Sequence, residues 1–159
     1  MMRYRFILVL AALLLLLPAG LSAQGRLEKV WFKNYEVKSV RPTGFRSLRA
    51  TVELRMKNRG DQDLTIKDVR IVIYRNGQPY VEGTCPPFRV PVSYSSPEAV
   101  GSFRLCDGVS LWTVLRILLN INYAEFSADV GLTAVDEDGV EEHFFHEGYA
   151  ADKLIKHQK

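Results

Sequence analysis

Leu48-Arg49-Ala50-Thr51-Val52-Glu53-Leu54-Arg55-Met56-Lys57 decides the fold class of this chain. Leu48, Ala50, Val52, Leu54 and Met56 are apolar, and the residues between them are charged or hydroxylated. That is a repeat of two, one face for a core and one for water, which a helix cannot satisfy. After Asn58-Arg59-Gly60 a second apolar run follows, with Leu64, Ile66, Val69, Ile71 and Ile73. It ends at Arg75-Asn76-Gly77-Gln78, where Asn-Gly supplies the two left-handed residues of a tight hairpin turn. These are consecutive strands of an antiparallel all-β protein.

Working outward, Val30 and Phe32 share one parity, and Tyr35 and Val37 the other, so the first strand region, Lys29 to Val40, should bulge near Lys33-Asn34. Arg41-Pro42-Thr43-Gly44 reads as a turn. Gln78 to Thr84 is a strand whose start is an edge or irregular end, because Pro79 has no N–H for a ladder. Phe88 to Val92 alternates, Tyr94-Ser95-Ser96-Pro97 reads as a loop, and Ala99 to Leu105 is a short strand. Asp107 or Ser110 would cap a helix inserted at about 108–121, apolar on more than one stripe and so largely buried. Phe126 to Val135 alternates again, Asp136-Glu137-Asp138-Gly139 turns, and a last strand runs from Val140 to about Glu147. Neither an internal repeat nor a low-complexity linker interrupts the pattern, which fits one domain over residues 24–159.

Residues 1–23 read as a signal peptide. Arg3 and Arg5 precede an unbroken apolar run, Phe6 to Leu17, which falls short of the roughly 20 residues a membrane span needs. Pro18-Ala19-Gly20 breaks that run, and Leu21-Ser22-Ala23 offers a cleavage site before Gln24. An uncleaved anchor is the alternative. The chain would then be periplasmic or secreted, with no membrane span after cleavage. Removing Arg3 and Arg5 takes 21 basic residues to 19 against 18 acidic, so the net charge falls from +3 to near +1. That argues against nucleic acid as a partner.

In an exported chain Cys85 and Cys106 are expected to form a disulfide, closing a loop of about 20 residues worth roughly 3 kcal/mol. Two buried thiols that never meet are the other possibility. His143 and His146 are three apart, which on a strand sends them to opposite faces, so a solvated strand accounts for them better than a metal site. The Asp136–Gly139 segment lacks the further ligands of a calcium loop, and a tight turn explains it. No glycine-rich phosphate loop or nucleophile elbow occurs, and neither a catalytic residue nor a cofactor is expected. In the helix, Trp112, Leu115 and Leu119 share a face. They fill the core, line a slot for a lipid or other apolar ligand, or present an exposed face to a partner or membrane. Trp31, Tyr35 and Tyr80 are candidate exposed aromatics near sheet edges.

In order along the chain, Val52-Glu53-Leu54-Arg55-Met56-Lys57-Asn58, Leu64-Thr65-Ile66, Val72-Ile73-Tyr74-Arg75-Asn76-Gly77, Val81-Glu82-Gly83, Phe88-Arg89-Val90-Pro91, a helix and Ser127-Ala128-Asp129-Val130-Gly131-Leu132 resemble the late-embryogenesis-abundant type 2 family, also called the water-stress and hypersensitive-response domain. The likeness spans about Trp31 to Phe145. It departs at Asn58, which the family usually follows with Pro and which here precedes Arg59. The resemblance implies an immunoglobulin- or fibronectin-III-like β-sandwich and a stress-protective role, with no catalytic residues to carry over. The expectation is an exported, non-catalytic binding or protective module of the envelope, contacting another protein or an envelope component through sheet edges and end loops. A carrier of an apolar ligand is the second reading.

Overall fold

A computed structural model describes residues 27–110, 113 and 122–150. Nine strands form one antiparallel sheet: β1 (Val30–Gly44), β2 (Ser47–Asn58), β3 (Leu64–Arg75), β4 (Gln78–Cys85), β5 (Phe88–Val90), β6 (Ser93–Ser95), β7 (Glu98–Leu105), β8 (Phe126–Val135) and β9 (Glu141–Ala150). The order is β1-β2-β7-β4-β3-β8-β9, with β5 on β3 and β6 on β2. Short 3₁₀ turns at Leu27–Lys29 and Tyr123–Glu125 complete the described elements.

Along β3, β4 covers Val69–Arg75 and β5 takes over at Leu64–Ile66. Along β2, β7 covers Ser47–Glu53 and β6 takes over at Met56–Asn58. Since among the described residues β5 and β6 each pair only with their own long strand, the sheet parts at that end into a β1–β2–β6 wing and a β9–β8–β3–β5 wing. The inner side chains of both wings share one core, giving a sandwich-like all-β fold. Val52, Leu54 and Met56 of β2, Leu64, Ile71 and Ile73 of β3, and Ala128, Val130 and Leu132 of β8 are all buried in it. Each large aliphatic side chain removed from water contributes roughly 1.5–3 kcal/mol.

Asn58 bridges the wings. It is 2 % exposed, and its Nδ2 donates to the Gln62 carbonyl at 2.9 Å and to the Val90 carbonyl of β5 at 3.4 Å. Its Oδ1 accepts the Gly60 N–H at 2.8 Å. The polar turn that ends β2 is thus fastened by the side chain that begins it.

Local chemistry sets the details. Asn76 and Gly77 take φ of 48° and 79°, the left-handed pair of a tight hairpin. The bulge expected near Lys33-Asn34 is present, a register shift between Phe32 and Asn34. Asp136 Oδ1 accepts from the N–H groups of Asp138 and Val140, both at 2.9 Å, and Gly139 has φ 80°, which makes the acidic segment a turn. Gly83 faces Phe103, and a Cβ there would stand 2.6 Å from the ring, so the ring fills the space that a larger residue would need.

Three expectations are corrected. The segment Arg41–Gly44 is not the turn: β1 continues through it to Gly44, and the chain reverses at Phe45–Arg46. Pro42 is tolerated because β1 is an edge strand. The segment at Tyr94 is not only loop, since Ser93–Ser95 is β6. The Cys85–Cys106 disulfide is not formed, and both residues are free thiols. The β4–β7 register pairs Val81 with Leu105 and Thr84 with Ser102, which sets Cys106 level with Tyr80, five residues along β4 from Cys85. At about 3.4 Å per residue they stand roughly 17 Å apart, beyond the 4.4–6.8 Å Cα separation of a disulfide.

The expected helix falls largely outside the described residues. Asp107 and Gly108 form a turn, Gly108 with φ 84°. At the expected start Ser110 Oγ accepts the Thr113 N–H at 3.1 Å, the bond a helix N-cap makes. Trp112, Leu115 and Leu119 lie outside the described residues. No helix among the described residues is long and apolar enough to cross a membrane.

Candidate functional site

The wing ending in β6 carries the most distinctive surface. Period-two alternation on β2 turns Lys57 outward, and the register sets Trp31 of β1 on one side of it and Tyr94 of β6 on the other. Three segments distant in sequence therefore form one row across three strands. Trp31 is 53 % exposed and Tyr94 60 %. Both rings are covered by cations: the Arg59 guanidinium lies 3.6 Å from the Trp31 ring centroid, and the Lys33 and Lys57 ammonium groups lie 4.4 and 4.6 Å from that of Tyr94. Lys33 reaches this position because the β1 bulge frees it from the ladder. Such contacts contribute about 0.5–1 kcal/mol at exposed sites, and here they hold flexible side chains in place.

The electrostatics of the row differ from those of the surface beside it. Further along the same face, Glu36 and Glu53 lie within 3.6 Å of Lys38 and Arg55 in a four-membered network. Those carboxylates, Glu36 first, raise the Lys38 ammonium above its ordinary value. By contrast, Lys33, Lys57 and Arg59 form no ion pair with a carboxylate among the described residues. Lys57 donates to the Tyr94 hydroxyl at 3.3 Å, and that bond, with the Lys33 charge beside it, holds the phenol below its usual range.

Behind the row the wing's end is braced. Asp63 accepts the Val92 N–H at 2.8 Å and pairs with Arg89, which together hold its carboxyl below the ordinary value. Gln62 Nε2 donates to Asp138 at 3.0 Å, and the Asp63 N–H to Glu137 at 3.2 Å, tying the β2–β3 turn to the β8–β9 turn. A cleft of about 470 Å³ lies beside this brace, lined by Glu28, Lys29, Asn58, Gly60, Asp61, Gln62 and Leu64.

The remaining candidates resolve differently. Trp31 is exposed at the edge, Tyr35 is half-buried, and Tyr80 is in the core, 5 % exposed and edge-on to Phe126 at 6.2 Å. Tyr80 and Val81 are buried in succession because the ladder shifts opposite Pro79, so two neighbouring side chains turn inward. Cys85 is buried and Cys106 half-buried, and burial pushes both thiols up, away from the reactive thiolate. His143 Nδ1 lies 2.9 Å from the Thr133 hydroxyl, and its Nε2 is 3.6 Å from Glu141. This is a cross-strand pair on β8–β9, with Glu141 committed to Lys67 at 2.7 Å. Among the described residues no three His, Cys, Asp or Glu side chains gather as a metal site would need. Sequence reasoning missed Tyr94, Lys57, Lys33 and Arg59 as a group, since no motif joins residues that only strand register brings together.

No family model matches the chain, and no curated protein matches it. Among solved structures, a crystal structure of a protein from Archaeoglobus fulgidus is similar to it, with 13 % identity, 73 % of this chain and 93 % of that chain covered, and a TM-score of 0.42. A likeness of that size carries no argument about function.

Proposed function

We propose that the chain is an exported, non-catalytic module of the cell envelope that works by recognising another envelope component, and that its sandwich is of the immunoglobulin-like, late-embryogenesis-abundant type 2 kind. The observation that carries this reading is the row of Trp31, Lys57 and Tyr94 with Lys33 and Arg59. Exposed aromatic rings together with unneutralised cations are the residue types that dominate recognition surfaces, and the paired charges around them supply a polar rim. A rigid sheet holds them, so little ordering entropy is lost on binding. The reading of residues 1–23 as a signal peptide supports an encounter outside the cytoplasm, where a stress-protective role would be to shield the partner.

The apolar-carrier reading depends on Trp112, Leu115 and Leu119, and the described residues add nothing that favours it. Site-specific photo-crosslinking in the host tests the recognition surface. A benzophenone side chain at position 94 should give an adduct that Trp31→Ala with Lys57→Ala abolishes, while the same probe at Phe145, exposed on β9, should give none. Equal adducts from both positions, or none from position 94, would overturn the reading.

A further inference from the structure

We infer that the outer face of the β1–β2–β6 wing docks on an anionic phospholipid bilayer surface. The inference rests on the recognition role proposed above and names the partner class.

Three observations favour a lipid surface. Lys33, Lys57 and Arg59 stand together without a carboxylate partner among the described residues, whereas the next rows along the face are neutralised by Glu36 and Glu53. A bilayer bearing anionic headgroups supplies complementary charge over an area, with no need for a shaped pocket. Trp31 and Tyr94 are amphipathic rings, exposed at the same level of the sheet, and such rings settle at the boundary between headgroups and acyl chains. The row crosses three strands, about 10 Å at the spacing of paired strands, and suits a broad flat partner better than a groove-bound one.

Charge placement also sets the orientation. Asp61, Glu137 and Asp138 belong to the two turns at the tip of the sheet, where an end-on approach would bring carboxylates against anionic headgroups. The protein therefore lies face-on, with the outer side of β1, β2 and β6 against the membrane. A nucleic acid would need more cations than this row and a net charge near +1 provide. An acidic protein partner is an outcome that the test separates.

The test is flotation of the exported protein, in the form the host's processing leaves it, with phosphatidylcholine vesicles and with vesicles carrying about 30 % phosphatidylglycerol. Wild type should float with the anionic vesicles at low salt and be released at high salt, where charges are screened. Lys33→Gln and Lys57→Gln should each lower the partition coefficient roughly fivefold. Trp31→Ala should lower it as well, and Arg70→Glu, a charge reversal on the outer side of β3, should leave it unchanged. Equal flotation with both vesicles, full binding by the Lys33→Gln/Lys57→Gln double variant, or an equal loss in Arg70→Glu would overturn the inference. If vesicles fail while the position-94 probe captures a protein, lipid docking falls and the recognition role stands. If both fail, both fall.

Discussion

Asn58 shows how one side chain decides whether an end of this molecule holds together. Its buried amide donates to carbonyls on two different segments and accepts a third bond. Asn58→Ala would leave the Gln62 and Val90 carbonyls without that donor at a cost of about 1–3 kcal/mol. A urea titration should show a lower midpoint with an unchanged slope. Asp63 makes a prediction with a definite sign. The Val92 N–H, then Arg89, lowers its carboxyl from an ordinary value near 3.8, so the folded state favours the ionised form. The stabilisation is complete above that value and is lost as pH falls through the lower folded value. Thermal melts between pH 7 and 2 should show wild type above Asp63→Asn at neutral pH, with the gap closing only below about pH 4. A constant gap across that range would contradict it.

At the scale of elements, the sequence is most legible where the signal is local. The alternation over Leu48–Lys57, the parity change near Lys33 and the Asn76-Gly77 turn each need only a few neighbouring residues, and each is found where expected. Tyr80 shows the failure. Pro79 argues for an edge or an irregular end; β4 is no edge, lying between β7 and β3, and the irregularity rotates Tyr80 into the core beside Val81. Strand register is likewise silent in the sequence, so the two cysteines invited a bridge that the β4–β7 ladder keeps apart. The consequence is measurable: intact mass under non-reducing conditions should show two free thiols. A thiol reagent should reach Cys106 before Cys85, whose labelling should wait for unfolding. A mass two units lower, with a melting temperature that drops on reduction, would mean the register is wrong.

For the whole molecule, strand order was beyond the reach of periodicity. β2 and β3 follow each other in sequence, yet β7 and β4 lie between them. Nothing in either strand encodes that insertion, because it depends on contacts with segments tens of residues away. The same non-local order makes the surface row: β7 ends its pairing at Glu53, β6 takes its place, and Tyr94 arrives beside Lys57 with Trp31 already on the other flank. Trp31 was visible as a candidate from sequence. Its partners were not, because lysine and arginine at outward strand positions read as ordinary solvated charge.

The central claim is therefore that residues 31, 57 and 94 meet through strand order. Nuclear Overhauser contacts in the purified protein measure this directly. The Lys57 side chain should show cross-peaks to the Tyr94 ring while its backbone faces Trp31 on one side and Tyr94 on the other, with Leu48 opposite Phe103 further along β2. Backbone contacts that pair β2 directly with β3, or a Lys57 remote from Tyr94, would contradict the arrangement and remove the proposed surface with it.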